Sequence, residues 1–197
     1  MLIISRSRHE TAECIETASL LATKFNVAVL SLPFLYDIPA EHPVIERLRY
    51  LPEPASFLVP LSVRSVKSLL TTLRIPFVHV FETAESVQIP DGGISGGQVE
   101  RLDDTPKPRW YPIIDDSLCS ACLECVNYCL FGVYTIGSGG RPLADQPDAC
   151  RDGCPACARV CPSQAIMFPL YEDRVIAGYV RESADELNGL VDLVEQI

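Results

Sequence analysis

The sequence lacks several features that would assign it quickly. No apolar run approaches the roughly 18–20 residues that a membrane-spanning helix needs. The opening MLIISRSRHETAE places its charges after a very short apolar run, the reverse of a secretory leader. Both absences predict a soluble, cytoplasmic chain with no membrane span. Basic residues are few, 16 Lys+Arg against 26 Asp+Glu, for a formal net charge of −10. Nucleic-acid binders carry the opposite excess, so no nucleic-acid partner is expected. There is no GxGxxG and no Walker-type loop, which argues against a self-contained nucleotide-dependent reductase. Sixteen prolines are many for a helical bundle. Against these absences, 48% hydrophobic residues exclude disorder of the whole 197-residue chain.

What the sequence has is cysteine. It has nine, and eight lie between Cys119 and Cys161, with Cys14 alone. In a reducing compartment, dense cysteines read as metal ligands before disulfides. Charge divides the chain in the same way. Residues 1–109 hold 11 Lys+Arg against 13 Asp+Glu, and residues 110–197 hold 5 against 13.

The first part alternates strand-like and helix-like segments. Strands are expected at 2–5, 27–32, 56–60 and 77–81, and helices at 8–24, 43–50 and 62–74, with Ser62 near the start of the last. This alternation predicts a small α/β domain over residues 1–82, with a mostly parallel sheet and a docking or ligand-binding role. Arg6, Arg8, His9, His42, Arg64 and Ser65 would gather beyond the strand C-termini, where such sheets bind ligands. Cys14 reads as a buried small hydrophobe. Residues 83–109, with IPDGGISGGQ, LDD and TPKPR, read as a Gly/Pro-rich acidic linker. A terminal strand is expected within 171–182. Residues 183–197 fit an amphipathic helix with a capping box at Ser183 and Glu186 and a stripe of Leu187, Leu190, Val191, Val194 and Ile197.

The cysteines form two sets, Cys119-x2-Cys122-x2-Cys125-x3-Cys129 and Cys150-x3-Cys154-x2-Cys157-x3-Cys161-Pro162. A tight loop with two residues between ligands can present three thiolates round one cubane cluster, and a fourth must come from elsewhere. Zinc also takes four thiolates, usually as two pairs and often with histidine. Here three cysteines stand close and one is remote in each set, and residues 80–197 contain no histidine. This pattern favours iron–sulfur.

Residues 115–168, about a quarter of the chain, resemble a bacterial-type ferredoxin domain with two [4Fe–4S] clusters. CARVCPSQAIMF is similar to that family's Cys-Pro-x-x-Ala-Ile ending, and DDSLCSACLECVNYC to its first loop. The resemblance implies an α+β dicluster domain, at 110–182, of two βαβ-like halves. It implies one cluster on Cys119, Cys122, Cys125 and Cys161, and the other on Cys129, Cys150, Cys154 and Cys157. The chain departs from the family where Leu130 replaces proline, where three residues separate Cys150 from Cys154, and in the 20-residue stretch between Cys129 and Cys150. Asp115, Asp116, Glu124, Asp148 and Asp152 surround the sets and would keep the potentials low. Ala121, Val126, Val160, Ala165, Ile166, Tyr128, Phe131 and Tyr134 are candidates to shield the clusters.

The expected role is one-electron transfer, by an electron carrier rather than an enzyme, to redox protein partners with a basic docking surface. Two alternatives are a redox subunit of a larger oxidoreductase complex and an N-domain enzyme fed by the clusters. Homo-oligomerisation is left open.

Overall fold

The computed structural model describes residues 1–8, 12–89, 97–104 and 106–179, with residues 12–15 by their backbone. His9, the side chain of Cys14 and the helix expected at 183–197 lie outside the described residues. Among the described residues, no helix is long and apolar enough to cross a membrane.

The N-terminal part is an α/β sheet in which every pairing is parallel. β1 (Leu2–Ser5), β2 (Val29–Leu32), β3 (Ala55–Leu58) and β4 (Phe77–Phe81) alternate with α1 (Ala12–Phe25), α2 (Pro43–Arg49) and α3 (Val63–Thr72). β1, β2 and β3 are buried along their whole length, as expected for strands covered on both faces. Alternation sorts their side chains. Leu2, Ile4 and Val29 meet Ala18, Leu21 and Ala22 of α1. Ile3, Leu30 and Leu32 meet Ile45 and Leu48 of α2 and Val66, Leu69 and Leu70 of α3. Helix starts follow local chemistry. Pro43 opens α2, and the His42 ring caps it by accepting from the Val44 N–H. Ser62 caps α3 by accepting from the Ser65 N–H, an arrangement worth about 1 kcal/mol.

The segment expected to be a linker contributes a strand. β5 (Val99–Arg101) runs parallel to β2, so the sheet order is β4-β3-β1-β2-β5. The chain leaves β4 at one edge and joins the sheet again at the other. β5 is exposed and carries Glu100 and Arg101, which suits an edge strand with one neighbour. Glu100 pairs with Arg47 of α2 at 2.6 Å.

The cysteine-bearing part has a repeated plan. β6 (Ile113–Ile114), α4 (Glu124–Tyr128) and β7 (Thr135–Ile136) are followed by β8 (Pro142–Leu143), α5 (Ala156–Val160) and β9 (Ile166–Met167). β6 pairs antiparallel with β9, and β7 with β8. The strand expected within 171–182 is absent from its described portion, where the chain turns through Asp173–Gly178. Asp173 anchors that turn by accepting from the Val175 and Ile176 N–H groups.

The two parts share a core. Tyr111, Ile113 and Met167 are buried in the same cluster as Ile3, Phe57 and Leu70. Tyr36 and Tyr111 stack at 4.3 Å, and the Tyr111 hydroxyl donates to the Tyr36 carbonyl at 2.9 Å. Asp37 accepts from the Arg8 guanidinium at 2.7 Å and from the Arg109 N–H at 2.9 Å. Ser62 donates to the Ala177 carbonyl at 3.0 Å. Arg64 pairs with Asp115 at 2.8 Å and donates to the Gln164 carbonyl at 2.7 Å.

Candidate metal centre

α4 and α5 present the cysteines in matching ways. Each helix has five residues and carries a buried cysteine at its second position, Cys125 and Cys157. Each ends on another cysteine in extended backbone, Cys129 at φ −76° and ψ 113°, and Cys161 at φ −72° and ψ 110°. The loops before the helices turn through left-handed residues. Ala121 (φ 57°) and Leu123 (φ 62°) flank Cys122, and Gly153 (φ 72°) precedes Cys154. Left-handed residues beside ordinary helical ones turn successive N–H groups into one concavity, a shape that suits an anionic group. In the second loop, glycine takes the left-handed position without the cost a side chain brings.

Cys119, Cys122, Cys125 and Cys161 line one cavity, together with Ile114, Leu123, Pro142 and Ala165. Burial pushes the Cys125 thiol up to about 11, and the nearby Cys161 and Cys119 add to the rise. The other four thiols form a second neighbourhood. Burial pushes Cys150 up to about 12, with Cys157, Cys154 and Cys129 close enough to contribute. It pushes Cys157 up to about 11, against a lowering from Tyr134 and with Cys129 and Cys154 adding to the rise. Cys129 thus faces second-set cysteines, and Cys161 faces the first set. Among the described residues, no three His, Cys, Asp or Glu side chains converge as a lone metal ion would require.

The donor sets fit thiolate-ligated clusters. Each neighbourhood offers four thiols, and both sit in one apolar shell containing Val133, Ile166 and Phe168. Cys161 also accepts from the Ala165 N–H at 3.3 Å, the kind of N–H···S contact that tunes a cluster. One buried phenol, Tyr134, has no hydrogen-bond partner for its hydroxyl.

The expected shielding side chains divide. Tyr134, Ala165 and Ile166 are buried, whereas Tyr128 (55% exposed) and Phe131 (41%) face outward, as does the neighbouring Leu130 (91%). Trp110 and Phe168 were missed by sequence reasoning. They stack at 5.2 Å, and the Trp110 indole donates to the Cys154 carbonyl at 3.2 Å. An aromatic pair just before the first set, Trp110-Tyr111, was the available signal. Two of the five acids named above are neutralised in place, Asp115 by Arg64 and Asp148 by Arg109 at 2.7 Å. Burial alone would raise Asp115, but Arg64 and Ser117 outweigh it and hold the carboxyl below its usual range.

The N-terminal candidates do not assemble into one pocket. Arg6 is buried and donates to the Leu102 carbonyl at 2.8 Å. Arg8 is taken by Asp37 and the Arg109 carbonyl. His42 caps α2 and meets Asp104 at 2.7 Å, while Arg64 and Ser65 lie at the seam with the cysteine part. Beyond the ends of β1, β2 and β5 lies an open hollow of about 310 Å³ lined by Arg6, Arg8 and Arg101, with Asp37 and Asp103 beside them.

No protein-family model matches the chain. A curated protein of Methanocaldococcus jannaschii, described as an uncharacterized ferredoxin, is 38% identical over 61 residues. The match covers 30% of this chain and 41% of that protein, so the chain spans about two fifths of its relative's length. Beside its parallel α/β sheet, this chain therefore carries a ferredoxin-like part.

Proposed function

We propose that the chain is a one-electron carrier with two [4Fe–4S] clusters. Cys119, Cys122, Cys125 and Cys161 hold the first cluster, and Cys129, Cys150, Cys154 and Cys157 hold the second. The observation that carries this reading is the crossing of the sets: the last cysteine of each faces the first three of the other. When bound, the clusters supply the electron-accepting centres. The protein groups the thiolates, lines them with apolar side chains and points the Ala165 N–H at Cys161. The ferredoxin relative supports electron transfer as the activity.

The α/β part is a scaffold for docking and assembly. Its seam contacts occupy the start of α3 and the turn after β2, which weighs against an independent enzyme there. A basic redox protein is the proposed partner, drawn by the acidic cysteine half. Exposed Tyr128, Leu130 and Phe131 beside Cys129 favour a second reading, a subunit seated within a larger oxidoreductase.

Anaerobic purification with metal and sulfide analysis and redox-titrated EPR tests the carrier. About eight irons and about eight acid-labile sulfides per chain are expected from two cubanes. Zinc in place of iron would refute it. Size exclusion of native extract separates a free carrier from a complex subunit.

A further inference from the structure

Four tyrosine hydroxyls near the seam and the cysteine part find partners: Tyr36, Tyr111, Tyr171 and Tyr179. Tyr134 differs. It is 8% exposed, and its hydroxyl is buried with no partner that meets hydrogen-bond geometry. It packs in one buried cluster with Cys157 and Cys125, with Cys129 against it. Burial acts on it most, and of the neighbouring thiols Cys157 acts foremost, then Cys125 and Cys129. A buried hydroxyl without an acceptor is costly, so each one calls for an explanation.

The repeated plan supplies one. Tyr134 stands five residues after Cys129. The residue five after Cys161 is Ile166, also buried. Ile166 lines the cavity of the first thiol group, on the far side of the crossing from its own motif. Tyr134 is the counterpart that crosses to the second group. One thiol group therefore has a phenol at this position and the other has a hydrocarbon.

The geometry points to Tyr134 as a hydrogen-bond donor to the ligated Cys157 thiolate, and so as a positioning residue that raises the potential of one cluster above what its surroundings would otherwise set. The inference rests on the carrier reading above. A ligated cysteine is a thiolate, an acceptor carrying charge, and bonds to charged acceptors are the stronger ones. A cluster held by these thiolates would carry one more negative charge when reduced, and the bond to Cys157 would then be stronger. The phenol keeps its proton, and no proton moves. Stabilising the reduced form raises the potential, whereas Ile166 offers the first cluster no such bond.

The test uses the full chain, purified anaerobically, as wild type and Tyr134→Phe. Iron and sulfide should match between the two. In redox-titrated EPR, one midpoint should fall. At fixed solution potential, the reduced-to-oxidised ratio of that cluster should drop about tenfold, equal to about 59 mV for one electron. The other ratio should change less than about twofold. Two unmoved midpoints, or two that move equally, would overturn the inference. If Tyr134→Phe does not load, 3,5-difluorotyrosine placed at position 134 decides, since it keeps the ring and is a stronger donor. The same midpoint should rise, and a fall or no change would overturn the inference. Wild type without iron would instead refute the carrier reading.

Discussion

Gly178 sits where the last described turn meets the start of α3, and Gly178→Ala tests whether the two parts are one body. Its φ is +99°, and an added Cβ would lie 2.6 Å from Ser62 Oγ, 2.8 Å from Met167 Sδ and 3.2 Å from Ser65 Cβ. All three neighbours are buried, so none can swing away into solvent. Overpacking of this kind costs about 1–3 kcal/mol. Left-handed backbone adds about 1–2 kcal/mol for a residue with a Cβ. A loss near 3 kcal/mol is therefore expected, which for a chain of this size lowers Tm by about 6–12 °C. Urea unfolding should be followed by far-ultraviolet circular dichroism and by the visible absorbance of the clusters. Met167 lies on β9, and β9 pairs with β6, which borders the first thiol group. Both signals should shift together. Gly139→Ala is the control, since nothing lies within 4 Å of its added Cβ; it should stay within about 0.5 kcal/mol of wild type. A Gly178→Ala loss below about 0.5 kcal/mol, or cluster absorbance that holds while the dichroism transition moves, would refute the shared-body argument.

Cys161→Ala should remove about half of the roughly eight irons expected from two cubanes, leaving the same EPR signal as Cys122→Ala; matching Cys154→Ala instead would refute the crossing. Asp37→Ala should cost about 3–5 kcal/mol in urea melts, because it strands Arg8 around a site where the carboxylate is only 3% exposed. Asp37→Asn, which keeps one acceptor, should cost less, and equal losses would count against the network. Asp115 is held below the usual carboxylate range, so its share of stability is full above about pH 4 and is lost as pH falls through the lowered value. Arg64→Met should therefore raise the acid-unfolding midpoint, and an unchanged midpoint would mean that the Arg64–Asp115 pair contributes nothing.

Elements that bury an apolar stripe were legible from pattern alone. Strand β1 at Leu2–Ser5 and the Ser62 cap of α3 fall where the alternation and the capping residue place them. β5 was not legible, because its three residues are exposed and two of them are charged. Its strand character comes from β2, whose free edge supplies hydrogen bonds that no local pattern announces. The run RVIAGYV reads as a strand by propensity, yet Asp173 captures the following N–H groups and turns the chain. The two cysteine sets are visible in the spacing, while their crossed grouping is what the ferredoxin resemblance implies. For the aromatic backing, Trp110-Tyr111 marks an aromatic site before the first set, but nothing local shows that Phe168, 58 residues on, is the stacking partner. The arginines after β1 carry charge suited to an anion, but Asp37, distant in sequence, takes Arg8.

The shared core also orders events in time. A chain made from its N-terminus completes β1 to β5 before any residue of the cysteine cluster emerges, and domains tend to fold as units in that order. The young sheet would still be unfinished, because Tyr111 and Ile113 arrive next and Met167 only after all eight clustered cysteines. The cysteine loops are thus threaded between two segments that the sheet is waiting to bury. Closing the core would bring the two ends of the cysteine loops together, and the α/β sheet would then act as a jig for them.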